Sequence, residues 1–173
     1  ITLFFVVQPV ISAESLENIR SVNHGTSNSR LDTSLLTGKW TYRSYRNDPS
    51  LVGGDANKAL QSIFGEGVFT FEILQNNILK GIFDMGGGYV LDLKGVVQPA
   101  IQNGAPLTAL IDGYGRKGTP TDGWEYDYHG FLAYQWPNGS DQVPSLVGSV
   151  TRAKPHGTAK AGYVASFIAI KQP

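Results

Sequence analysis

From Leu35 to the C-terminus, apolar and polar residues alternate with a period of two, in short runs rich in Val, Ile, Thr and aromatic residues. Eight such runs predict eight strands, over residues 36–46, 67–74, 78–85, 89–97, 107–114, 124–136, 145–154 and 162–171. The segments between them have turn chemistry: Gln75-Asn76-Asn77, Gly86-Gly87-Gly88, Asn103-Gly104-Ala105-Pro106, residues 118–123, Pro137-Asn138-Gly139-Ser140 and Lys154-Pro155-His156-Gly157. One stretch, 55–64, has helical spacing, with Asp55 as a cap and Ala59, Leu60 and Ile63 on one side. Eight sequential strands joined by short turns predict an all-β fold, an antiparallel up-and-down β-barrel with one short helix, because closure removes the unpaired edges of an open sheet. A two-sheet sandwich is the competing arrangement. Lys39, Arg43, Glu125 and Asp127 inside the strands argue against a lipid-facing outer-membrane barrel.

The segment 124–136 is the richest in chemistry. Its even positions are Trp124, Tyr126, Tyr128, Gly130, Leu132, Tyr134 and Trp136; its odd positions are Glu125, Asp127, His129, Phe131, Ala133 and Gln135. Side chains alternate across a strand, so five large rings fall on one face, and Trp40 and Tyr42 share a face of the first strand. A small closed barrel either fills its interior or holds a ligand there, and Tyr and Trp combine apolar area with a polar tip. The candidate ligand-binding set is therefore Trp40, Tyr42, Trp124, Tyr126, Tyr128, Tyr134 and Trp136, with a small apolar or aromatic molecule as the partner. A packed aromatic core without ligand uses the same pattern. Glycines 81, 95, 113, 130 and 148 within the strands favour a cavity, and equally suit barrel corners.

The amino terminus is different. Residues 1–11, ITLFFVVQPVI, carry no charge and precede Ser12-Ala13 and a polar stretch to Arg30. This pattern is expected of the end of a secretory signal peptide, which points to a secreted or periplasmic protein. The alternative is an apolar segment that docks on a neighbour, giving a homo-oligomer or larger assembly. The chain thus divides into an N-terminal segment and linker, 1–30, and a barrel domain, 31–173.

Composition narrows the classes further. At 173 residues one domain is expected, large enough to bury a core without staples. With no cysteine, disulfides, thiolate metal sites and a cysteine nucleophile are excluded. Fourteen Lys and Arg balance fourteen Asp and Glu, which argues against a nucleic-acid partner.

Leu36-Thr37-Gly38-Lys39-Trp40 resembles the Gly-x-Trp signature that opens the first strand of the calycin barrels, the lipocalin and avidin group, and Tyr126-Asp127-Tyr128 is similar to the family's Asp-Tyr element. The resemblance implies a calycin-type barrel that binds small molecules and a basic residue near the chain end, here Arg152, against the opening Trp40.

No nucleophile elbow, phosphate loop, zinc-protease motif or dinucleotide fingerprint occurs, and neither a cofactor nor a metal is expected. Glu125, Asp127 and His129 share a strand face, but a barrel with the aromatic face inward turns them to solvent. His156 reads as a solvated loop histidine. Three functions follow, with binding favoured over catalysis: a non-catalytic binder of an apolar or aromatic molecule; a barrel cyclase or isomerase for a hydrophobic substrate, assisted by Tyr126 or Asp84; and a structural subunit that docks through its N-terminal strand.

Overall fold

A computed structural model describes residues 32–100, 106–136 and 138–173. The N-terminal segment, with both readings of it, lies outside these residues. The period-two pattern resolves into eight strands, β1 Gly38–Arg46, β2 Ile63–Ile73, β3 Ile78–Asp84, β4 Val90–Gln98, β5 Thr108–Gly115, β6 Glu125–Leu132, β7 Ser145–Arg152 and β8 Val164–Lys171. Each is hydrogen-bonded antiparallel to its neighbours in sequence, and β8 returns to β1, so the sheet is a closed up-and-down barrel rather than a sandwich.

Alternation decides what fills the barrel. Trp40 and Tyr42, Phe69 and Phe71, Leu79 and Phe83, Leu91 and Leu93, Ala109 and Ile111, Tyr126 and Tyr128, and Ala165 and Phe167 are all buried, while the residues between them are wholly or partly exposed. Inward glycines let the strands coil tightly enough to close. A Cβ on Gly81 or Gly95 would lie 2.2 Å from the carbonyl oxygen of Thr70 or Leu110 on the adjacent strand. These glycines serve closure: of the strand glycines, only Gly65 borders the barrel's cavity.

The two ends differ. At the end where β1 begins, a 3-10 turn over Thr33–Leu36, capped by Asp32, tucks Leu36 under the barrel, and Trp40 Nε1 donates to the Leu36 carbonyl at 2.8 Å. The Lys171 ammonium lies 5.7 Å from the Trp40 ring centroid. That end is plugged. The other end carries the β1–β2, β3–β4, β5–β6 and β7–β8 connections and opens into a cavity. The expected helix at 55–64 is a 3-10 helix over Ala56–Ser62, with Asp55 as its cap. It buries none of its residues: Leu60 is exposed, and Ile63 and Phe64 belong to β2. With the apolar side unused, nothing holds the segment in a longer α-helix.

Candidate functional site

The open end holds a cavity of about 370 Å³. Tyr128 and Phe83 form its floor, Tyr42, Leu91 and Val150 its walls, and Trp124, Tyr126, His156, Phe64, Tyr89 and Arg152 its mouth. A core of this kind normally packs to crystal-like density, so space of this size at one end of an otherwise filled barrel needs a local cause. Three pieces of backbone supply it.

The first is a bulge in β2. Ser44 pairs with Gly65, but the next residue, Tyr45, pairs with Ile63. Phe64 is the extra residue, and the bulge aims its ring at the mouth. There it stacks on Tyr163, the residue before β8, with centroids 5.3 Å apart and planes 24° from parallel.

The second is the β5–β6 loop. Thr121 is fully buried; its Oγ1 donates to the Val90 carbonyl at 2.6 Å and accepts from the Arg116 amide at 3.3 Å. The loop rests on Gly115, where a Cβ would sit 1.6 Å from the Thr121 carbonyl oxygen. Thr121 then accepts from the Trp124 amide at 2.9 Å, which fixes the indole at the rim beside Tyr89, 5.9 Å away by centroid.

The third is the β7–β8 loop, folded back by the reciprocal backbone bonds of His156 and Ala159. It lays the His156 ring on Trp124, 4.0 Å by centroid and 15° from parallel. His156 Nε2 is 2.7 Å from the Tyr126 hydroxyl. Arg152 Nε lies 3.4 Å from the same oxygen. Burial first, and the Arg152 charge second, hold His156 below the ordinary imidazole range. In the tautomer with the proton on Nδ1, a neutral His156 accepts at Nε2 from the Tyr126 O–H, whose oxygen in turn accepts from Arg152.

The phenols deeper in the barrel are neutral. Burial pushes Tyr42 well up, with Ser44 beside it pulling partly back. Burial also raises Tyr128 far above the usual phenol value, with Tyr42, Tyr126 and Asp127 adding to it. Tyr128 lines the cavity, and among the described residues no fully buried side-chain polar atom lacks a partner, so its hydroxyl is not a stranded group. A phenol on the cavity lining can offer its O–H to whatever occupies the space.

Of the seven candidate residues, four meet here: Tyr42, Trp124, Tyr126 and Tyr128. Trp40 shares their inward face but lies at the plugged end. Tyr134 and Trp136 lie beyond β6, which ends at Leu132; they are 74% and 71% exposed and pack on each other at 5.4 Å. Arg152 lies at the mouth, away from the position the calycin resemblance implies; Lys171 is the basic residue over Trp40. Asp84 is exposed and accepts from the Gly86 amide at 2.8 Å, stabilising a turn. Glu125, Asp127 and His129 face outward, Glu125 paired with Lys154, and among the described residues no three His, Asp or Glu side chains converge for a metal. Sequence reading missed His156, which is a wall of the cavity and not a solvated loop residue, and Phe64, whose aim depends on the bulge.

Comparison with protein-family models, curated proteins and solved structures finds no match to this chain. The class defined by fold and site is a closed eight-stranded antiparallel barrel with one plugged end and one aromatic, open-mouthed cavity.

Proposed function

We propose that the protein is a small-molecule-binding barrel of calycin-like type, secreted or periplasmic, which takes an apolar or aromatic ligand through its open end. The observation that carries the reading is the open aromatic cavity at one end of the barrel, with the phenols Tyr42, Tyr126 and Tyr128 in its lining. Binding sites combine apolar walls with a few convergent polar groups. At ~30 Å³ per water, the space corresponds to about a dozen waters, and so to a molecule of about that many non-hydrogen atoms. Native mass spectrometry of the full chain, compared with the denatured protein, tests this. Co-purifying material lost on denaturation, or saturable uptake of a naphthalene-sized fluorescent probe, is the expected result. A protein that arrives empty and refuses every probe leaves the structural-subunit reading.

One observation favours the cyclase or isomerase reading as an alternative. The Tyr126 hydroxyl bridges the cavity and a neutral His156 whose loop borders solvent, a path along which a phenol proton is exchanged. Tyr126 is the residue that would donate or accept at the substrate, and His156 would restore its proton. Turnover of a bound hydrophobic substrate, lost in Tyr126→Phe while binding persists, distinguishes this reading from simple binding.

A further inference from the structure

The charges at the cavity mouth do not cancel. Three fully charged side chains line it, Arg46, Glu66 and Arg152. Glu66 is committed outward, to Arg43 at 2.5 Å. Among the described residues neither Arg46 nor Arg152 has a carboxylate partner: Arg46 reaches the Gln61 carbonyl at 3.3 Å, and Arg152 Nη1 donates to the Lys160 carbonyl at 2.9 Å. Both occupy inward positions of their strands. Arg46 pairs with Ala165 on β8, and so does Val150 on β7, which places Arg152 two residues further towards the mouth and two strands away. From strand spacing and rise the two Cα atoms are roughly 12 Å apart, about a quarter of the way round one opening.

Arg152 is also held in place. Its guanidinium lies 5.3 Å from the Phe64 centroid and 5.6 Å from the Tyr163 centroid, against two rings that themselves stack. Two of its nitrogens are used, on the Tyr126 hydroxyl and the Lys160 carbonyl, and Nη2 has no partner among the described residues. A fixed planar cation at the rim of an apolar cavity, without a protein counter-charge, is geometry for a carboxylate. The surplus is local, since the whole chain is neutral.

Resting on the binding reading above, we infer that the ligand is an amphipathic anion, a small aromatic or apolar monocarboxylate. Its hydrocarbon body enters the ring of Tyr42, Phe83, Trp124 and Tyr128, and its carboxylate stays at the mouth against Arg152, with Arg46 supplying long-range attraction. A neutral analogue of the same shape fits the same rings but leaves Arg152 unpaired.

Two fluorescent probes of matched shape test this on the full chain: naphthalene-2-carboxylate and naphthalene-2-carboxamide, titrated into wild type, Arg152→Gln, Arg152→Lys and Arg46→Gln in low and high salt. The carboxylate is expected to bind wild type at least about tenfold tighter than the amide, an advantage that shrinks with salt. Arg152→Gln abolishes the advantage and leaves amide affinity within about twofold. Arg152→Lys retains part of it and covers the case in which the glutamine variant does not fold, and Arg46→Gln reduces it to a smaller extent. Equal affinity of wild type for the two probes overturns the anionic-ligand inference while the binding reading stands. Failure of both probes to bind overturns the two together.

Discussion

His156 lies flat against Trp124, centroids 4.0 Å apart, and from there holds the Tyr126 hydroxyl at 2.7 Å, so the β7–β8 loop is fastened across the cavity mouth by one neutral imidazole. Burial and Arg152 oppose its protonation in the folded state. The unfolded chain, with an imidazole near 6.5, then binds the proton more readily, so the stability contributed by this contact is complete above that pH. It is lost as pH falls through 6.5 towards the lower folded value. Thermal unfolding followed from about pH 7.5 to about pH 5.5 should show a falling midpoint in wild type and a flatter profile in His156→Gln. Equal slopes in the two proteins would show that the imidazole does not fasten the loop.

Tyr128 separates packing from binding only if the right substitution is chosen. Its ring meets Tyr42 at 6.1 Å, Phe69 at 5.4 Å, Phe83 at 6.3 Å and Phe167 at 6.2 Å. Tyr128→Ala removes core as well as site and should cost about 3–5 kcal/mol. Tyr128→Phe keeps the ring and removes only a hydroxyl on the cavity lining, so stability should change little while probe affinity falls. A stability loss above about 1.5 kcal/mol in Tyr128→Phe, measured by urea denaturation, would mean that the hydroxyl serves the barrel rather than the ligand.

The fold is legible in the sequence because a strand's pleat writes itself as a period of two, and turn residues punctuate it. Periodicity gives the face of a side chain, however, and not its height in the barrel. Trp40, Tyr126 and Tyr134 have the same inward parity, yet one plugs the far end, one rims the cavity and one lies past the last paired residue, Leu132, which faces Leu146. Phe64 was hidden for another reason. The bulge that reverses its parity arises from the pairing of Tyr45 with Ile63, a relation between strands that neither strand shows alone. His156 depends on the conformation of its loop, which tertiary contacts set.

Closure depends on the inward glycines more than on any apolar residue, and Gly95 is the cleanest probe. An added Cβ would lie 2.2 Å from the Leu110 carbonyl oxygen, which the β4–β5 ladder prevents from moving away. Gly95→Ala should destabilise the barrel by about 1–3 kcal/mol. A β-propensity argument predicts the opposite sign, since alanine lowers the entropy of the unfolded chain. Chemical denaturation of the one variant decides between strain and propensity.

On the outer wall Asp112 of β5 sits directly opposite Asp127 of β6. Partial burial, then Asp112 and Glu125, push the Asp127 carboxyl above its usual range, so its ionisation is less favourable in the barrel than in the unfolded chain. Stability should therefore rise as pH falls through the Asp127 titration, opposite in sign to the His156 effect. Asp127→Asn removes the repulsion and should stabilise by about 0.2–1 kcal/mol, towards the low end because water screens the pair. An Asp127→Asn midpoint at neutral pH no higher than wild type would show that the two carboxylates are fully solvated and do not interact.

The three tryptophans allow the position of the ligand to be read directly. Trp40 is completely buried at the plugged end, Trp124 rims the cavity under His156, and Trp136 is 71% exposed beyond β6. Gln142 pins the Trp136 backbone, accepting from its amide at 2.6 Å and donating to its carbonyl at 2.7 Å, so that indole is held on the outside of the opposite end. A ligand entering the open mouth should change the emission of Trp124 and leave the other two unaffected. Trp124→Phe should then abolish the fluorescence response to a bound naphthalene probe, whereas Trp136→Phe and Tyr134→Ala should keep both the response and the affinity. Neither exposed-residue variant should shift stability beyond about 0.5 kcal/mol, the range of surface substitutions without buried partners. A response that survives in Trp124→Phe and disappears in Trp136→Phe would move the binding site from the cavity to the Tyr134–Trp136 pair at the far end.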